Sequence, residues 1–384
     1  MLSFAPLGLA PLASVRRLLW FLFLLVDGLV LFAVAAAYAA AYLSPRTFWW
    51  AQLLAIGLPF LALLFAGLTL VPVLAKRWGL LAVHIAVIAI LGLRLIPFAQ
   101  LRPDPPPAPD DLVLMTMNVP RHGPSAERLT ADVTALLEEK RPSLVGLQET
   151  GSWHLDDPPY RPVIASYVSP AVDSLGYALE IPPDWSTSLP ILVRAGAPGD
   201  FVVEDQSQTE INEGRGDTGR SRFVRTLFRW HNRAAVHYNI HLRSFGMEKP
   251  WDGDVHPLRP RTWVPFLRRY RKVYEQRARE IEQIAERIDA ETLPVIISGD
   301  FNGTPNNWGY RQLVRDRRDA FRRAGTGWGG TYHAKLPLVR IDYIVVGPEW
   351  EVIHAEVPDV RFSDHRPLVA RLRWRDEDPA ARSR

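Results

Sequence analysis

The sequence predicts an α/β fold, two packed β-sheets with helices on their outer faces, preceded by three transmembrane helices. Three observations lead there. Three apolar runs occupy the first hundred of the 384 residues. A proline-rich stretch follows at residues 102–110. From 111 to 374 short apolar runs then alternate with segments of helical periodicity. Many strands with a few interleaved helices bury their faces as two sheets with helices outside.

The apolar runs cover residues 18–43, 48–75 and 80–99, within a membrane domain of 1–101. Each is long enough to cross a hydrocarbon core, which takes about 20 residues. A signal peptide is the competing reading of the first run. That run exceeds the usual ~7–15-residue apolar region, and two more follow it. Arg16 and Arg17 precede the first span, Lys76 and Arg77 lie between the second and third, and the first loop has only Arg46. Basic loops stay in the cytoplasm, so the chain after Ala99 is expected outside. The expected location is the cell (inner) membrane, multi-pass, with the following domain facing the periplasm or exterior. Tyr42, Trp49 and Trp50 sit where an interfacial aromatic belt would.

Asp27 and His84 lie inside these runs. An unpaired aspartate at the bilayer centre costs roughly 2.5–3.5 kcal/mol, which leaves two readings: a contact with each other or with Arg94 that serves transport, or, as the expected one, protonated or interfacial residues that help the spans associate. Association of the spans is its ordinary use; a transporter would need a longer polar pathway.

Charge and cysteine content narrow the classes further. Residues 1–103 hold seven Lys/Arg and one acid, leaving 38 bases against 40 acids in the rest, a net −2. The pI near 9.3 therefore comes from the membrane part and does not argue for a nucleic-acid surface elsewhere. The absence of cysteine excludes disulfides, thiolate zinc sites and a cysteine nucleophile.

The stretch RPDPPPAPD at 102–110 reads as a semi-rigid spacer that would hold the next domain away from the bilayer. Strands are expected at 112–117, 144–147, 191–193, 201–203, 225–230, 235–241, 294–298, 341–346, 351–356 and 368–373. Helices are expected at 126–140, capped by Ser125, and at 262–290, with Pro265 in the tolerant first turn. Residues 375–384 form a polar tail. The basic run Arg268–Arg279 reads as a solvated helix face. The tripeptide Arg215-Gly216-Asp217 sits in a Gly-rich polar loop and is expected to be only that. Trp251, Trp263, Trp308 and Trp328 are expected mostly in packing.

Acids, amides and histidines recur at strand ends, where a rigid sheet offers side chains to loops. In order they are Asn118 after LVLMTM, Glu149 after LVGLQ, Asn239 and His241 in YNIHL, Asp300 and Asn302 in SGDFN, Asp342 in RIDY, and Asp364 and His365 in SDHRP. Singly each has an ordinary reading. GDFN suits an Asx turn, and a strand histidine is often a satisfied core residue.

Taken together, MNV, LQE, NIHL, SGDFN, RIDY and SDHRP resemble the endonuclease/exonuclease/phosphatase superfamily over about 111–374. The three-span N-terminus is similar to that of its bacterial membrane-anchored members. The resemblance implies a four-layer sandwich of two mixed β-sheets flanked by helices, with the site at one sheet edge. It also implies metal-dependent hydrolysis of phosphoester bonds. There are departures: Ser143 stands where many relatives carry Asp, Pro120 replaces a metal-side acid of the apurinic endonucleases, and 160–194 match loosely, with 189–193 standing for a strand that usually ends in Ser-Arg.

A phosphoester needs its oxygens neutralised, an in-line water and a protonated leaving group. Glu149, with Asn118 beside it and Asp364 as a further ligand, would hold Mg²⁺, or Mn²⁺ in its place. Asp342 would orient His365 and favour its imidazolium. Asp300 would position or deprotonate the water, and Asn302 would donate to a phosphate oxygen. His241 would be a second phosphate donor or the leaving-group acid. Whether His365 or Asp300 is the base stays open. The expected partners are the bilayer and a phosphoester, which is a lipid headgroup, a nucleic acid or a small phosphate ester; no protein partner is expected. The alternatives are a nuclease acting on extracytoplasmic DNA or RNA, and a catalytically inactive membrane-anchored binding protein.

Overall fold

The computed structural model describes residues 10–101, 105–119, 126–150, 173–180, 189–211, 221–245 and 259–375. Pro120, the Ser125 cap, the Arg215–Asp217 tripeptide, Trp251, residues 376–384 and parts of 160–194 lie outside them.

Two helices are long and apolar enough to cross a membrane: α1 (Ala10–Ala39), through its Ser14–Ala39 part, and α5 (Trp78–Leu95). The middle run, expected as one span, forms α2 (Pro45–Ile56), α3 (Leu58–Leu68) and α4 (Leu70–Leu74), which together make a third, bent span if counted as one. A 63° bend separates α2 from the α3–α4 stretch. Gly57 at the break is a poor helix former, and Pro59 in the first turn of α3 lacks the N–H that would continue α2.

Asp27 and His84 meet in this bundle. Both are buried, with His84 Nε2 at 3.2 and 3.3 Å from the two carboxylate oxygens of Asp27. The other ring nitrogen lies 3.1 Å from the Thr69 hydroxyl, and Phe65 stacks on the ring. Arg94 takes no part; it lies over the rings of Tyr38 and Tyr42 at the far end of α5.

The remaining chain builds two six-stranded sheets. The first has the order β11-β12-β1-β2-β4-β3 and the second β5-β6-β7-β8-β10-β9. The strands are β1 (Leu112–Asn118), β2 (Leu144–Gln148), β3 (Tyr177–Glu180), β4 (Ile191–Arg194), β5 (Val202–Ile211), β6 (Ser221–Trp230), β7 (Arg233–His241), β8 (Val295–Asp300), β9 (Arg318–Asp319), β10 (Asp342–Val346), β11 (Trp350–Glu356) and β12 (Leu368–Trp374). Both sheets are mixed: β1 and β2 are parallel, as are β7 and β8, while β12 and β10 run antiparallel beside them.

Alternation along the strands separates the layers. Leu112, Leu114, Leu144, Ile296, Ile344 and Leu368 fill the space between the sheets. The other face of the first sheet packs on α6 (Ala126–Lys140) through Met115, Val145, Val133 and Leu137. The other face of the second packs on α7 (Pro260–Asp289) through Ile240, Ile297, Ile281 and Ile284. The result is the expected four-layer sandwich. At Gly146 the sheets approach so closely that a Cβ would meet the side chains of Asn239 and Ser298 at 2.9–3.1 Å. Asn239 bridges them there: its Nδ2 donates to the Leu147 carbonyl, and its Oδ1 accepts from Gln148 at 2.7 Å.

The proline-rich stretch does not hold the sandwich away from the apolar helices. Ala51, Gln52 and Ala55 make one face of α2, and it is buried. Small residues let α2 approach α7 closely, and Arg46 pairs with Glu282 on that helix. Gln52 is bonded on every side. Its Nε2 donates to the carbonyls of Ala40 and Leu43, and its Oε1 accepts from Asn307 Nδ2 and the Trp308 amide. Asn307 caps and Trp308 begins α8 (Trp308–Val314), and Trp308 is buried there, in packing as expected. Residues 105–110 run along the sheet instead of outward, with Arg373 donating to the Pro106 carbonyl.

Candidate active site

One edge of the sandwich collects the polar strand ends. Asn118 pairs in register with Gln148, so β1 ends beside Glu149, the residue after β2. In the second sheet Asp300 sits between His241 on the parallel side and Asp342 on the antiparallel side. The turn into this edge needs Gly299. Its φ is +131°, and a Cβ there would run into the Ile240 carbonyl. Glu149 and Asn302 also hold left-handed backbone, with φ of 61° and 48°. Such conformations persist only where the surroundings enforce them.

Asp300 is the centre. It is buried, and its Oδ1 accepts the Asn302 amide at 2.7 Å. Its Oδ2 accepts from Asn118 Nδ2 and Asn302 Nδ2, each at 3.2 Å. The same oxygen lies 3.8 Å from His241 Nε2 and 3.9 Å from His365 Nε2. His241 reaches Glu149 Oε1 at 3.5 Å. His365 is held from behind by Asp342, whose two oxygens lie 2.9 and 3.2 Å from Nδ1.

The structure thus brings Asn118, Glu149, His241, Asp300, Asn302, Asp342 and His365 together. Asp364 differs. It is exposed, and its carboxylate accepts from the Ser363 hydroxyl at 3.4 Å. Asn302 also differs from expectation: its amide donates to the Leu242 carbonyl and to Asp300, which occupies both N–H groups. Tyr343 is packing, as expected, with its hydroxyl donating to the Gly303 and Arg340 carbonyls.

Electrostatics separates the two central groups. Burial, then the charge of Asp342, pushes Asp300 up to about 7, against the lowering pull of His365 and the Asn302 amide. Burial opposes a charged His365, but the charge and hydrogen bond of Asp342, with Asp300 and Asp364 adding, push it up to about 10. At neutral pH these shifts keep His365 a cation and leave Asp300 partly protonated.

Several contributors carry no local signal in the sequence. Arg277, in the run expected to be solvated, is buried because α7 turns that face onto the sheet. Its Nη1 donates to the Asn302 carbonyl at 2.5 Å, and its guanidinium covers the Phe245 ring. Tyr332 packs against His365, 5.0 Å between ring centres. Ser363 donates to the Asn118 carbonyl, tying the His365 loop to β1. Only knowledge of the fold would have put these residues together.

The carboxylates suit a divalent cation. Glu149, Asp300 and Asp342 converge around one cationic histidine, a negative excess that a hard metal ion neutralises. Asp300, Asp342 and His365 each offer a ligand atom within 4.8 Å of the others. The Nδ1 that bonds Asp342 has no lone pair left for a metal while it carries the proton. The Glu149 and Asn118 side of the site therefore fits an ion better.

A model of the endonuclease/exonuclease/phosphatase family matches residues 115–365, so the chain belongs to this family. The family is one of phosphoester hydrolases, and this protein is such an enzyme. Two solved structures share the fold. An endonuclease/exonuclease/phosphatase family protein from Bacteroides thetaiotaomicron is 15% identical, with a TM-score of 0.50 over 70% of this chain and 96% of that one. A mannosyl-6-phosphatase from the same organism is 16% identical, with a TM-score of 0.50 over 68% of this chain and 100% of that one. No curated protein matches the chain.

Proposed function

We propose that this protein is a membrane-anchored, Mg²⁺-dependent phosphoesterase that hydrolyses a phosphodiester or phosphomonoester outside the cytoplasm by in-line attack of water. The observation that carries the reading is the Asp300–His365–Asp342 arrangement, in which one buried acid is poised near neutrality beside a histidine held cationic. Asp300 takes the proton of the attacking water, and Asn118 and Asn302 fix the carboxylate for that task. His365, braced by Asp342, stabilises the charge that grows on the phosphoryl oxygens. His241, between Glu149 and Asp300, is placed to donate to the phosphate or the leaving group. Glu149 and Asn118 would hold the metal, with exposed Asp364 as a further ligand. A divalent ion bound there supplies Lewis-acid neutralisation of the phosphoester.

Two features favour a site facing outward and tied to the bilayer. Arg16 and Arg17 lie near the start of α1 and Lys76 and Arg77 just before α5, where Arg77 covers the Trp20 ring, at the other end of α5 from Leu95 and the chain that leads into the sandwich. The sandwich itself docks on α2 through Gln52. Anchoring raises the effective concentration of any membrane-borne phosphoester. The net −2 of the rest of the chain weighs against a nuclease.

The test is hydrolysis of bis(p-nitrophenyl) phosphate and p-nitrophenyl phosphate by the full chain in detergent, with and without Mg²⁺. Turnover that needs Mg²⁺ and disappears in His365→Ala supports the proposal. A folded His365→Ala variant with unimpaired turnover overturns it.

A further inference from the structure

A second crevice lies between the membrane helices and the sandwich. It holds about 110 Å³. On the membrane side its wall is Ile56, at the end of α2, and Leu95, the last residue of α5. On the sandwich side it is Trp328 and Leu338. Three arginines, Arg94, Arg322 and Arg340, also line it. It is separate from the catalytic edge, since none of Asn118, Glu149, His241, Asp300 or His365 lines it.

Arg340 is neutralised by its ion pair with Asp319, whereas Arg94 and Arg322 meet without an ion-pair partner of their own. Arg322 donates from Nη2 to the Arg94 carbonyl at 3.0 Å, which satisfies the frayed end of α5. The Arg94 side chain lies over two tyrosine rings, and its Nε is buried with no hydrogen-bond partner. Neither arginine makes an ion pair among the described residues. Apolar residues surround them. Trp328 and Leu338 are 57% and 44% exposed, and Ile96, next to Arg94, is 49% exposed. Exposed apolar surface continuous with membrane-crossing helices belongs against lipid. Unpaired arginines beside it call for an anion, and phosphate is the group their forked donors match best.

We propose that this crevice binds an anionic phospholipid of the surrounding leaflet. Its phosphate sits between Arg94 and Arg322, and a chain lies along Ile56, Leu95, Trp328 and Leu338. The site is independent of the hydrolytic one, but one segment joins them. Trp328 donates to the Leu338 carbonyl, and between these residues Tyr332 bridges both Val339 and His365. A bound lipid would therefore brace the segment that packs on His365.

The experiment uses the delipidated full chain in detergent, titrated with phosphatidylglycerol or phosphatidylcholine and read by native mass spectrometry. A basic residue near an anionic lipid contributes about fivefold. The expected result is retention of phosphatidylglycerol at least about fivefold over phosphatidylcholine, falling to parity in R94Q/R322Q. Equal retention of the two lipids by the parent chain, or a preference that survives in the double variant, overturns the proposal. A second readout does not depend on that variant folding. Chain-brominated phosphatidylglycerol should quench a saturable part of the tryptophan fluorescence that is missing in Trp328→Phe, a surface change. The absence of that part likewise overturns it.

Discussion

Replacing Asp342 with asparagine keeps the shape of the side chain behind His365 and removes its charge. That charge and its hydrogen bond to Nδ1 overcome burial and push His365 up to about 10. Without them burial still opposes the cation, and the ring falls back toward its ordinary value of about 6.5. At pH 8 the charged fraction then drops from about 99% to about 3%, a loss of about 30-fold in whatever depends on the imidazolium. The same change relieves Asp300, whose pKa Asp342 raises. Both limbs of the pH–rate profile should therefore move to lower pH. The assay is kcat/KM for bis(p-nitrophenyl) phosphate from pH 5 to 10 on the full chain with Mg²⁺. Recovery of the Asp342→Asn variant below about pH 6.5 is the expected result. A loss of equal size at every pH, with neither limb moved, would refute the argument that His365 acts as a cation.

Further predictions concern the base, stability, docking and topology. Asp300→Ala should lower turnover by about three orders of magnitude or more while circular dichroism stays unchanged, because the water loses its base and Asn118 and Asn302 lose their anchor. Without metal, Asp300 and His365 both bind protons more tightly folded than unfolded, so stability should fall as pH rises. The His365 share is fully present below about pH 6.5, is lost through about pH 10, and is on the order of 5 kcal/mol. Chemical denaturation of His365→Ala should lack that part of the slope; an unchanged slope would contradict it. Gln52→Leu leaves the Trp308 N–H without its acceptor and the Ala40 and Leu43 carbonyls without their donor, while Asn307 Nδ2 keeps the backbone carbonyl of residue 52, and should destabilise the docked state by about 2–5 kcal/mol, seen as faster proteolysis between α2 and the sandwich. Protease added to intact spheroplasts should cut near residues 105–109; protection until lysis would reverse the proposed orientation.

The catalytic edge was legible because its residues stand at strand ends. Periodicity marks where LVLMTM, LVGLQ and IISGD stop, and the polar residue that follows each stop is the one the sheet presents. The sandwich followed from the same alternation together with the family motifs. What escaped detection depends on contacts between distant segments. Arg277 reads as a surface arginine in a basic run, and only the packing of α7 on β7 and β8 makes it a neighbour of Asn302. Gln52 reads as one polar residue in an apolar span. Its role appears once the chain bends at Gly57 and α2 turns its alanine face to α7. The proline-rich stretch has the stiffness of a spacer, but stiffness does not fix direction, and Arg373 draws it along the sheet. Asn302 looked available to a phosphate until its amide was seen bonded to Leu242 and Asp300.

The most direct measurement of the central claim is Mg²⁺-dependent release of p-nitrophenol by the purified full chain, run beside its His365→Ala variant. The account predicts turnover in the parent chain that EDTA abolishes, Mg²⁺ restores and the variant lacks. A folded parent chain that hydrolyses neither the diester nor the monoester at any Mg²⁺ concentration, or a variant as active as the parent, would contradict it.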